Sequence, residues 1–205
     1  MCGRFLLADD TENHEIRKII EEINMKYGPE EASKLKTGEI FPTNFAPTII
    51  IDNTNKINIT LMKWGFPSHK GKGVIINARQ ETLDKKPTFK NILHSKRCLV
   101  PASGFFEWKK TENGRKDKYL IRTKLPAFYM AGLYNTFINE NTSSYTAFVI
   151  ITTGANKEMA AIHDRMPVIF HKEQAKLWLN QNNRNMQQLK ELFTPYKDSL
   201  IFCPD

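Results

Sequence analysis

Residues 98–123 read CLVPASGFFEWKKTENGRKDKYLIRT. Apolar, β-branched and aromatic residues fill both ends, and Asn113-Gly114 lies in the polar stretch between them. That dipeptide accepts the positive φ angles of a tight turn, so the spacing predicts an antiparallel pair, 98–109 and 117–123. Runs of the same character follow at 127–137 and 145–153, around the polar turn FINENTSS. Upstream, 48–51 and 57–64 form another predicted pair, joined by DNTNK. Helical spacing is confined to the ends. Residues 11–27 put Ile16, Ile19, Ile20, Ile23 and Tyr27 on one face, with Thr11 as candidate N-cap and Gly28-Pro29 as the stop. Shorter helices are predicted at 87–95 behind Pro87, and at 157–162, 171–180 and 186–193, with a strand at 166–170. No repeat or linker interrupts the 205 residues. The reading is one α+β domain over residues 1–205, a mostly antiparallel sheet flanked by helices.

Composition narrows the partners. No stretch approaches the roughly 20 apolar residues of a membrane span, and no charged start precedes an apolar run, so the expectation is a cytoplasmic protein without a membrane partner. The three cysteines, Cys2, Cys98 and Cys203, have no C-x-x-C spacing; free thiols and no metal site are expected. The formal charge of +8 is uneven: residues 56–124 carry 17 Lys/Arg against 5 Asp/Glu. Such a segment either forms a basic face for a polyanion such as nucleic acid, or is a solvated lysine-rich surface.

Four islands hold polar residues that the strand and helix patterns do not require. In GFFEW, Glu107 follows Phe105 and Phe106. If buried, its carboxyl is biased toward proton transfer near neutral pH; if it lies at an edge, it is ordinary. In HDRMP, His163 sits where the chain must leave a helix before Pro167, and histidine titrates in the physiological range. In IINARQET, Asn77 and Arg79 share a face if the segment is extended, one able to orient a small group and the other to grip phosphate; Asn77 is alternatively a helix cap.

The fourth island is Cys2-Gly3-Arg4 at the start of the chain. If Met1 is removed, Cys2 presents an α-amine with a pKa of about 7.7–8.0 beside a thiol near 8.5, the latter expected to be lowered by Arg4. An aldehyde condenses with such an amine to a Schiff base, and the thiol then closes a thiazolidine. The ring-opened sugar of an abasic DNA site is an aldehyde on a polyanion. A basic face and an N-terminal aminothiol together point to capture of abasic sites.

MCGRF, NARQET, RCLVPASGFFEW, AGLY and HDRMPVI, in this order and at these spacings, resemble the SOS-response-associated peptidase (SRAP) family, from Cys2 to about residue 180. The resemblance implies a β-barrel-like sheet with a positive groove for single-stranded DNA. It implies removal of Met1, with autoproteolysis as one route, and a thiazolidine crosslink that shields the site, without metal or organic cofactor. It implies Cys2 as nucleophile, Asn77 as holder of the amine and opened sugar, Glu107 as proton carrier in ring closure, and His163 as promoter of sugar opening. It further implies phosphate contacts from Arg4, Arg79 and Arg165, base stacking by Trp64 and the apolar residue after Gly65, and a monomer on abasic single-stranded DNA, in the nucleoid. Weak lyase activity through the Schiff base would accompany this. Two other readings stay open: a cysteine peptidase using Cys2, His163 and Glu107 on other proteins, and a noncovalent single-strand binder.

Overall fold

The computed structural model describes residues 2–10, 13–68, 71 and 73–205. Strand β1 (Arg4–Leu7) leads into helix α1 (His14–Lys26) and the single turn α2 (Pro29–Ala32). Strands β2 (Gly38–Ile40), β3 (Phe45–Ile51) and β4 (Ile57–Trp64) follow, then the short β5 (Phe66–Pro67), β6 (Val74–Ile75) and β7 (Asn77–Arg79). A 3-10 turn at Gln80–Thr82 and helix α3 (Pro87–Lys90) precede β8 (Arg97–Ala102), β9 (Gly104–Lys110), β10 (Lys116–Thr123), β11 (Phe128–Ile138) and β12 (Ser144–Gly154). A second 3-10 turn at Met159–Ala161 is followed by β13 (Arg165–Pro167), β14 (Ile169–Phe170), α4 (Lys172–Leu179), α5 (Met186–Glu191) and β15 (Leu200–Pro204).

The larger sheet closes on itself. Its ladder runs β12-β4-β3-β8-β11, and β11 pairs back to β12 from Gly132↔Ile150 to Ile138↔Ser144. Closure leaves these strands without a free edge. β12 explains how. Its even residues Phe148 and Ile150 pack with Trp64, Met62, Val100 and Met130, while its odd residues Ala147, Val149 and Ile151 pack with Ile59, Leu99 and Leu133. A strand buried on both faces reads as a continuous apolar run rather than an alternating one. α1 and α4 cover the second of these faces through Ile19, Ile23, Ala175, Trp178 and Leu179. A second sheet, β15-β10-β9-β1-β2, packs beside the barrel and carries the start of the chain.

The expected barrel-like α+β fold is present, with differences of detail. The predicted strand 98–109 breaks at Ser103 and enters two sheets. Ser103 N–H donates to the Leu6 carbonyl, and its Oγ accepts from the Ala8 N–H and from Asn13 Nδ2. Asn13, not Thr11, caps α1, accepting from the Ile16 N–H; Thr11 lies outside the described residues. Among the named strands, β12 pairs in parallel with both β4 and β7. The predicted helix 157–162 is only the 3-10 turn, the one at 87–95 shortens to α3, and the strand 166–170 divides at Val168.

Arg97 is fully buried without a carboxylate among the described residues. Its Nε donates to the Trp178 carbonyl and its Nη atoms to the carbonyls of Leu93, Asn180 and Asn183, while the guanidinium lies 5.4 Å from the Trp178 ring. The cation thus satisfies carbonyls at and beyond the C-terminal end of α4, where the helix dipole favours it. Burial lowers its pKa to about 10, which still leaves it charged at neutrality. Arg97→Met is expected to cost on the order of 3 kcal/mol or more, by orphaning these carbonyls. Urea unfolding of the variant checks this; an unchanged midpoint would contradict it.

Candidate active site at the start of the chain

β1 is held between β2 and β9, with Arg4↔Phe106 and Phe5↔Phe105 in register, so the residues before Arg4 run alongside Glu107. Cys2 is fully buried, and its Sγ lies 3.6 Å from the Arg4 carbonyl. Asn77 Nδ2 donates to the Cys2 carbonyl at 2.9 Å. The other end of that amide, Oδ1, is buried with no hydrogen-bond partner among the described residues. Asn77 opens strand β7 and does not cap a helix; Arg79 precedes the 3-10 turn, and its side chain makes no capping bond.

Glu107 is 2 % exposed, which removes the edge reading of this residue. It alternates with Phe106, over whose ring Lys118 Nζ lies at 4.3 Å, and shares its side of β9 with Phe105 of the core. Burial, and after it the Glu107 carboxylate, push the Cys2 thiol well above its ordinary range. The expected lowering by Arg4 is therefore corrected. Arg4 pairs with Glu39 at 3.0 Å and stacks between the rings of Phe41 (4.4 Å) and Trp108 (5.0 Å). The thiol is protonated at neutral pH.

His163 faces Glu107 across a cleft of about 610 Å³, whose walls are Glu107 to Lys110 with Lys116 on one side and Ala161 to Asp164 on the other. His163 Nδ1 accepts from the Arg165 N–H at 3.0 Å, which in the neutral ring leaves the proton on Nε2. Asp164 Oδ1 lies 2.8 Å from the same Nδ1. Cys2, Asn77, Glu107 and His163 come from four separate stretches of sequence, and the fold links them as Asn77 to Cys2, Cys2 to Glu107, and Glu107 to His163.

The other expected contacts divide. Arg79 is exposed and carries no ion pair among the described residues. Arg165 is not a free fork: it is bound to Glu81 and Thr152. Trp64 is not a stacking wedge. It is fully buried, with its Nε1 donating to the Ile76 carbonyl at 3.1 Å, Phe5 edge-on at 5.1 Å and Phe148 stacked at 6.3 Å. Phe66, after Gly65, is 1 % exposed. Freeing either ring for a base would empty the core, at about 3–5 kcal/mol. Lys109, Lys110 and Lys116 line the cleft, although only the charge of their segment marked them in the sequence. Met1 lies outside the described residues.

Residues 1–204 match the family described as SOS response associated peptidase (SRAP). The chain belongs to that family. Among similar SRAP-related sequences, it is 37% identical over 204 residues to the abasic site processing protein YoqW of Bacillus subtilis, covering 96% of this chain and 88% of YoqW. It is 28% identical over 188 residues to the abasic site processing protein YedK of Escherichia coli, covering 88% of this chain and 80% of YedK. The fold is shared with a protein from Bacteroides thetaiotaomicron of known crystal structure, at a TM-score of 0.79 and 22% identity, over 99% of this chain and 91% of the other. No helix among the described residues is long and apolar enough to cross a membrane.

Proposed function

We propose that this protein captures abasic sites in single-stranded DNA through the aminothiol of Cys2, as the names of YoqW and YedK lead one to expect for this chain. The observation that carries the reading is the hold of Asn77 on Cys2 next to the cleft shared by Glu107 and His163. After Met1 is removed, the Cys2 amine adds to the aldehyde of the opened sugar. The carbinolamine loses water and becomes an imine. The thiol adds to the imine carbon, its proton passes to the nitrogen, and a thiazolidine results, with one water released overall. His163 carries the proton from the hemiacetal hydroxyl to the ring oxygen as the sugar opens, and ends in the state in which it began. Glu107, buried beside the thiol, relays the proton in ring closure. Asn77 Oδ1 is an acceptor suited to the amine. Arg79 and the lysines of the cleft supply cation for the backbone. The protein acts as a monomer on nucleoid DNA in the cytoplasm.

A peptidase acting on other proteins through Cys2 needs a thiolate, and burial holds this thiol in the opposite direction. Intact mass, measured before and after incubation with an oligonucleotide carrying one abasic site, tests the proposal. Loss of one methionine followed by an adduct stable to heat in denaturant is expected. Processed protein that binds the strand but gains no mass would favour the noncovalent binder and overturn the proposal.

A further inference from the structure

His163 is carried by residues 155–164, the connection between β12 and β13. Backbone bonds close this connection. The Ala155 N–H donates to the Asp164 carbonyl at 3.0 Å, and the His163 N–H, just past the 3-10 turn, donates to the Met159 carbonyl at 2.9 Å. Asn156 Oδ1 accepts from the Met159 N–H at 2.8 Å, at the start of that turn. Met159 itself is fully buried in the core.

Residues 193–200 run from the end of α5 into β15 and are bonded at intervals to β12 and to this connection. The Phe193 carbonyl accepts from Thr153 Oγ1 at 2.9 Å, and the Tyr196 carbonyl accepts from Asn156 Nδ2 at 2.9 Å. The Leu200 N–H donates to Glu158 Oε2 at 2.8 Å. Tyr196 and Leu200 are buried in the core, and the Tyr196 ring stacks on His171 before α4, with centroids 5.2 Å apart. Leu200 is also the first residue of β15, in register with Thr123 of β10. β10 is paired in turn to β9, with Tyr119 opposite Glu107. The walls of the cleft therefore belong to different sheets. Glu107 to Lys110 and Lys116 stand on β9 and β10 of the second sheet, while Ala161 to Asp164 hang between two strands of the barrel. At the Leu200 amide, the connection that carries His163 is bonded to the sheet that carries Glu107.

We propose that residues 193–200 are a strap that holds the two walls of the cleft in register, and that Asn156 and Glu158 are the positioning residues through which it sets His163 opposite Glu107. The inference rests on the abasic-site reading and adds two positioning residues to it. Neither side chain lines the cleft, so each acts through the backbone that leads to His163. Glu158 is exposed, and its replacement leaves the core intact.

Glu158→Ala removes the acceptor of the Leu200 N–H, and Glu158→Gln keeps one in its amide oxygen. Crosslinking to an abasic single strand is timed at saturating DNA, at a temperature where urea unfolding shows each variant to be folded. The strap predicts a rate lower by about 10-fold for Glu158→Ala and within about 2-fold of wild type for Glu158→Gln, with an unchanged Kd on an intact strand, because alignment and not binding is lost. It also predicts that Glu158→Ala slows a His163→Ala protein no further, since the residue acts through the histidine. A purely structural role predicts instead a lower unfolding midpoint with the wild-type rate in the folded protein. That result overturns the strap, as does equal slowing by Glu158→Ala with and without His163. A Glu158→Gln rate as low as that of Glu158→Ala assigns the effect to charge and overturns it too. A wild-type protein that forms no adduct in the same assay overturns the abasic-site reading instead.

Discussion

Cys2→Ala abolishes the heat-stable adduct with an abasic strand while noncovalent binding to an intact strand persists. The expectation follows from the division of labour at this residue. The N-terminal amine of the variant still condenses with the aldehyde, so borohydride should trap a Schiff base. Only the thiol can close the second bond, and without it the imine returns to aldehyde by hydrolysis. The reciprocal probe is protein acetylated at the Cys2 amine, which keeps its thiol. It too should give no stable adduct, because the first bond cannot form. Mass spectrometry after heating in denaturant reads both outcomes. An adduct of normal yield from either form would sink the thiazolidine. The burial of the thiol also bears on the proposed order of events. Burial and the neighbouring carboxylate push its pKa up, so under the proposed chemistry the thiol is expected to react after the amine. The iminium then places a positive charge on the adjacent atoms and lowers the cost of the thiolate.

Several elements are legible in the sequence because they are local. The turn after β9 contains Gly114 at φ 76°, and the one after β3 contains Asn55 at φ 61°, and in both the residue type announces the backbone. The apolar periodicity of α1 is likewise a property of neighbours. Barrel closure is not. It depends on β12 taking β4 as a parallel partner, and nothing in either segment names the other. The same distinction runs through the site. Cys2, Asn77, Glu107 and His163 are visible as polar residues in apolar or turn-marked surroundings. Trp64 takes a place and Arg165 an ion-pair partner that the sequence does not show, because both depend on distant residues. Glu81 lies 84 residues before Arg165, and Arg4 is neutralised by Glu39, 35 residues on. A tryptophan beside a glycine looks exposed until the barrel closes over it.

Glu107→Gln is expected to move two properties of Cys2 in opposite directions. The amide is nearly isosteric and keeps a polar contact in a site that is 2 % exposed. It removes the charge that, after burial, raises the thiol pKa. The pKa must therefore fall, although burial, the larger cause, keeps it above the ordinary value of about 8.5. In wild type the folded pKa lies above the unfolded one, so this thiol contributes stability below about pH 8.5 that is lost as pH rises, and its alkylation begins only in alkaline solution. The variant should begin to react with iodoacetamide at lower pH and lose less stability on the alkaline side. Crosslinking should nevertheless slow by about 100-fold or more, because glutamine cannot accept and return a proton. The two rates are measured on the same preparation, by mass shift with iodoacetamide and with abasic oligonucleotide. If Glu107 served only to shape the pocket, both rates would change together. If its charge served only to hold the thiol in reserve, the variant would crosslink faster than wild type. A thiol that becomes easier to alkylate yet slower to close the ring identifies the carboxylate as the proton carrier, because the gain in thiolate is then outweighed by the loss of the relay.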